Sequence, residues 1–102
     1  MTEYNKLVRD KIPEIMKANN EKPVIKILDE KEYKENLDIK LQEEVAEYLE
    51  SGELEELADI LEVIFAIAES KNYSRDELMG VYQNKHDKRG GFKERIYLVG
   101  KE

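Results

Sequence analysis

Apolar residues step along much of this chain at intervals of three and four, the period of a helix half-buried against a neighbour. Leu37, Leu41, Val45 and Leu49 recur at every fourth position with Tyr48 beside them, and they predict a helix beginning at about Asp29. Ser51-Gly52 closes it, glycine being favoured just past a helix end. A second long helix is expected from about Glu53 to Ser70. Its middle, LADILEVIFAIA, is apolar nearly all round apart from Asp59 and Glu62, so it needs cover on more than one side. Ahead of this pair, Lys6 to Asn20 contains a shorter helix with Ile12, Ile15 and Met16 on one side. Asp10 is its expected cap, Pro13 fits its first turn, and Asn19-Asn20 ends it. After the pair, Ser74-Arg-Asp-Glu77 has the form of a capping box. It opens a helix that carries Leu78, Val81 and Tyr82 and ends near Gly90-Gly91.

Two short stretches break the helical period. Pro23 to Leu28 and Arg95 to Val99 are rich in β-branched and other apolar residues and read as strands. Neither has another obvious partner, so they are expected to pair with each other. The predicted fold is all-α, a helical hairpin with flanking helices and a small terminal two-stranded β element. In a chain of 102 residues, a helix apolar on nearly every side calls for a second copy. Two subunits are therefore expected to pack their long helices into a four-helix core, as a homodimer that could pair again into a tetramer.

Composition narrows the classes of function. The length fits one domain spanning 1–102. The absence of cysteine removes disulfide frameworks and thiolate metal sites. The opening MTEYNKLVRDKIPE scatters charges where a secretory signal would have an apolar run. No stretch approaches the roughly 18 apolar residues of a membrane helix, so a soluble cytoplasmic protein is expected. With 24 acidic against 17 basic residues and a net charge of −7, a nucleic-acid polymer is an unsuitable partner. A small anionic ligand remains compatible where cations offset the field.

The acids themselves are patterned. Glu44 and Glu47 are spaced i, i+3 at the margin of the first helix's apolar stripe, and Glu56 and Asp59 repeat that spacing on the second. A tight turn at Ser51-Gly52 makes the two helices antiparallel, so the pairs can converge across their interface. Four converging carboxylates repel one another unless a cation sits among them. Mg²⁺ takes oxygen ligands and keeps several waters, which leaves room for a phosphate. The plainer alternative is a solvated, Glu-rich surface, to which Glu50, Glu53 and Glu55 belong. Asp59, inside an apolar run, needs a partner under either reading. Glu62 is either a fifth acid of the site or a rim residue. A di-iron carboxylate site is excluded, because it requires Glu-x-x-His pairs and the only histidine, His86, follows Gln83 at that spacing. Cations that could meet a polyphosphate lie at the end of the last helix. Lys85 and Arg89 there share a face, with Asn84 adjacent, although basic residues at that place also simply complement the helix dipole.

Taken together, Glu43-Glu44-Val-Ala-Glu47, Glu56-Leu-Ala-Asp59, and Asn84-Lys85 followed by Arg89 and Phe92 resemble the MazG-like all-α nucleoside triphosphate pyrophosphohydrolase superfamily. The ends, YNKLVRDKIPEI and RGGF…RIYL, look like its phosphoribosyl-ATP pyrophosphohydrolase-like subgroup, so the resemblance covers nearly the whole chain. The spacer YLESGELE between Glu47 and Glu56 is shorter than in that superfamily by about one helical turn. The resemblance implies hydrolysis of a nucleotide between its α and β phosphates, with Glu44, Glu47, Glu56 and Asp59 as Mg²⁺ ligands. It implies that Glu43 stands behind them or orients water, and that Lys85 and Arg89, with Asn84 close by, contact phosphates. Lys6 and Arg9 join them as cations that the N-terminal motif brings with no evident structural task. A helical dimer that binds nucleotide without turnover, and a purely structural module, are the alternatives from other classes.

Overall fold

The computed structural model describes residues 1–102, which fold into four helices and no strands. They are α1 (Ile12–Ala18), α2 (Glu30–Ser51), α3 (Leu54–Ser70) and α4 (Arg75–Arg89). The local chemistry at their ends is largely what the residues dictate. Asp29 caps α2 through its side chain, which accepts from the Glu32 N–H at 2.8 Å. Gly52 adopts a left-handed φ of 68° and reverses the chain into α3. Ser74 and Glu77 form a reciprocal capping box at the start of α4. Asn20, at φ 62°, stands just past the end of α1.

Two expectations about local structure are corrected. Asp10 does not cap α1: Lys11 occupies the cap position and makes no side-chain bond there. The two predicted strands do not form. Residues 23–28 have no regular secondary structure, and Arg95 sits at φ 58° in a turn closed by its N–H on the Phe92 carbonyl. β-branched composition supports a strand only where a second strand supplies hydrogen bonds, and neither segment finds one within the chain.

Helices α2 and α3 form an antiparallel hairpin, and α3 also packs against α4, while α2 and α4 do not touch. The hairpin seam holds the core, namely Leu37 from α2 with Val63 and Ala68 from α3. The α2 stripe leaves that seam along its length. Steps of four residues advance about 40° beyond a full turn, so Val45 is partly exposed and Leu49 is 76% exposed. Between α3 and α4, Leu61, Ile64 and Phe65 face Leu78, Met79 and Tyr82 around an open apolar groove. The Arg75 guanidinium lies 3.9 Å above the Phe65 ring and fastens the start of α4 to α3. No helix is long and apolar enough to cross a membrane.

Candidate metal centre

The seam that is apolar at Leu37 and Val63 turns acidic nearer the Gly52 reversal. One face of α2 carries Lys40, Glu43, Glu44 and Glu47 at helical spacing, and the facing side of α3 carries Glu56 and Asp59. Carboxylate oxygens of Glu44, Glu56 and Asp59 all lie within 4.8 Å of one another. Glu47 stands beside this trio on an exposed position. It is close enough to Glu44 and Glu56 to raise the pKa of both. The i, i+3 pairs of the two helices therefore do converge, with three members within 4.8 Å of one another and the fourth at the rim.

Glu44 is 7% exposed, the one charged residue in the buried core. Its Oε1 forms an ion pair with Lys40 Nζ at 3.3 Å, while Oε2 has no hydrogen-bond partner. Oε2 of Glu56 is likewise buried and unpartnered. Burial raises the Glu44 pKa first, and the nearby Glu47 adds to it against the opposing pull of Lys40. Glu56 is raised by desolvation, then by the charges of Glu47, Asp59, Glu44 and Glu53. Two carboxylate oxygens are thus held out of water beside other acids with nothing to donate to them, an arrangement that costs free energy until a cation or proton arrives.

Cations already border the site. The Arg9 guanidinium donates to Asp59 Oδ1 at 2.7 Å, across 50 residues of chain. Lys6 Nζ lies 3.8 Å from Glu43, and Lys40 Nζ lies 3.4 Å from the same carboxylate. The N-terminal segment thus lies along the acidic end of the hairpin and brings Lys6 and Arg9 to it. Asn84, Lys85 and Arg89 are different. They are exposed on α4, and no hydrogen bond or ion pair joins them to the acids within one chain. Glu62 is exposed and lies outside the trio. His86 is also exposed and stacks on Tyr82, with ring centroids 6.0 Å apart.

Lys40 is the residue that sequence reasoning passed over. Its signal was the i, i+3 and i, i+4 relation to Glu43 and Glu44, which places an ammonium over both carboxylates.

The comparisons with known proteins leave the family open. No family model matches the chain, and no solved structure matches it. A stretch of 41 residues, 40% of the chain, is 56% identical to an uncharacterized protein of Mycolicibacterium smegmatis (strain ATCC 700084 / mc(2)155). The match covers 42% of that protein's length.

Proposed function

We propose that the chain hydrolyses a nucleoside triphosphate, or a related nucleotide, at the bond between the α and β phosphates, releasing a monophosphate and pyrophosphate. The observation that carries this reading is the pair of buried, unpartnered oxygens on Glu44 and Glu56, within a trio of carboxylates drawn from two helices. The donor set is entirely hard oxygen and therefore fits Mg²⁺, which Glu44, Glu56 and Asp59 would hold with Glu47 beside them. When bound, Mg²⁺ supplies charge neutralisation for phosphate oxygens and activation of water. The resemblance of the acidic motifs to MazG-like pyrophosphohydrolases supplies the reaction class.

The chain's own residues have separable tasks in this reading. Lys40 opposes the rise in the Glu44 pKa and pairs with Glu43. Glu43, paired with Lys6 and Lys40, stands behind the trio or orients the attacking water. Arg9 and Lys6 offer donors to phosphate oxygens beyond the reach of the metal. Lys85, Arg89 and Asn84 reach the phosphates only from a second copy.

The exposed surface supports that second copy. The chain exposes 9624 Å², where a folded monomer of 12.0 kDa exposes about 6,000 Å². Its radius of gyration is 17.9 Å, against about 13 Å for a single domain of this length. Of this excess of about 3,600 Å² per chain, an obligate dimer would remove about 1,000–2,500 Å² from each copy. The α3–α4 groove, Leu54 at 80% exposure and the apolar segment 96–99 are the surfaces in question. Packing the hairpins of two copies together gives the four-helix core.

The test is pyrophosphate release with Mg²⁺ from a panel of nucleotides. Asp59→Ala is expected to lose activity by about 10²-fold or more, the effect of removing one major electrostatic group, with its helical circular dichroism unchanged. Unchanged turnover would refute the assignment. One rival draws on a specific observation, since Arg9 and Lys40 already neutralise three of the acids. If those are the lasting partners, the protein is a non-catalytic helical dimer, with no pyrophosphate release and no metal-dependent rise in Tm.

A further inference from the structure

A cavity of about 220 Å³ lies on the same seam as the acid trio, between α2, α3 and the N-terminal segment. Leu37, Val63 and Ala66 line it with apolar surface, and Leu7 and Val8 border it from the N-terminal segment. Tyr33, Asp10, Glu62 and Glu69 are its free polar groups. Two further lining residues, Arg9 and Lys40, are the side chains that pair with Asp59, Glu43 and Glu44. Cavity and acid trio therefore share a wall. Glu44 lies seven positions after Leu37 in α2, about 10 Å along the helix axis, which is the scale of the distance from a nucleotide's base to its phosphates.

We propose that this cavity receives the base of the nucleotide whose phosphates lie at the acid trio, and that it selects an amino-bearing purine, guanine above all. The proposal rests on the pyrophosphohydrolase reading and gives it a substrate class. The volume is below the roughly 300 Å³ at which pockets for drug-sized ligands begin, so one heterocycle fits and a whole nucleotide does not. Leu37, Val63 and Ala66 offer apolar contact to the faces of a ring.

The free polar groups decide the edge that is read. Arg9 and Lys40 each already pair with a carboxylate, whereas Asp10, Glu62 and Glu69 pair with no cation. Ionised carboxylates only accept hydrogen bonds. Tyr33 stays a hydroxyl, because burial and the charges of Asp10 and Glu69 push its pKa up. A base that presents adjacent donors suits three acceptors. Guanine offers N1–H and its exocyclic amino group side by side, the arrangement one carboxylate accepts with both oxygens. Uracil and thymine place one N–H between two carbonyls, which the same carboxylates repel.

The experiment measures kcat/KM for GTP, ITP, ATP and UTP with Mg²⁺, together with calorimetric titration of guanosine without metal. Wild-type, Glu62→Gln, Glu69→Gln and Ala66→Leu proteins are compared beside Asp59→Ala. GTP is expected to exceed ITP, which lacks the amino group, by about 10-fold or more, the discrimination of one bidentate contact. At least one of the two Gln variants is expected to bring that ratio close to one. Ala66→Leu fills the cavity and should weaken guanosine binding about 10-fold while leaving inhibition by inorganic tripolyphosphate, which has no base, unchanged. If Ala66→Leu fails to fold, Glu62→Gln and Glu69→Gln, isosteric changes at exposed positions, carry the comparison. Release abolished by Asp59→Ala with a base ranking indifferent to all three cavity variants overturns the proposal and leaves the acid trio standing. Release that survives Asp59→Ala removes the catalytic reading, and the substrate assignment falls with it.

Discussion

Lys40 is the most informative single residue to remove. Its ammonium lies 3.3 Å from Glu44 and 3.4 Å from Glu43, and the Lys40 and Glu44 side chains are only 15% and 9% exposed. Lys40→Met keeps most of the aliphatic stem and deletes the charge. Glu44 is then a buried carboxylate beside Glu47 and Glu56 with no direct cationic partner. Removing one member of a fully buried pair costs about 3–5 kcal/mol. The residual water contact here sets the expectation lower, at about 2–3 kcal/mol, close to the bottom of that range. For a domain of this size that is a fall in Tm of roughly 10–20 °C, read by circular dichroism at neutral pH, without divalent cations and at fixed protein concentration. Adding Mg²⁺ should return most of the loss, because the carboxylates regain a cation, and the rescue should be larger for Lys40→Met than for wild type. A variant as stable as wild type, or one whose loss is indifferent to Mg²⁺, would contradict the electrostatic account of the seam.

Arg9→Ala removes a partly exposed ion pair and should cost no more than about 1 kcal/mol, yet it should tighten Mg²⁺ binding by deleting a competing cation. Calorimetry that finds weaker binding would show Arg9 supporting the site instead. The raised pKa values of Glu44 and Glu56 mean that the folded state binds more protons than the unfolded state above the usual carboxylate range. Metal-free protein should therefore gain stability as pH falls from neutral toward that range, and lose it as pH rises through the folded values. Saturating Mg²⁺ should reverse the trend, since protons then compete with the metal, and denaturant melts across pH with and without Mg²⁺ check both signs. Burial first, then the charges of Asp10 and Glu69, push the Tyr33 pKa above the ordinary tyrosine value of 10.0. Asp10→Asn should bring its ionisation midpoint down, read by phenolate absorbance against wild type.

The helices were legible because their signals are local. Ser74-x-x-Glu77, Asp29 and Gly52 act within one turn of themselves, and the structure uses each as the residues suggest. The approach of Glu44, Glu56 and Asp59 was legible too, because helical spacing and a tight turn together fix which faces meet. What stayed hidden depends on contacts distant in the chain. Arg9 meets Asp59 across 50 residues, and no periodicity encodes that pairing. Lys40 was visible but ordinary, since a lysine near glutamates on a helix usually faces water. The segments 23–28 and 95–99 have strand composition and no strand, because a ladder needs a partner that the residue pattern alone cannot supply. Leu49 failed as a core residue through the slow rotation of an i+4 series.

The most direct measurement is calorimetric titration of Mg²⁺ into wild-type protein and into Glu44→Gln and Glu56→Gln, the two residues whose buried oxygens have no partner. Saturable binding to wild type, lost or weakened at least about 10-fold in both variants, is the predicted result. Wild-type protein that takes up no divalent cation, or binding that is indifferent to both substitutions, would contradict the claim that these acids are gathered to hold a metal.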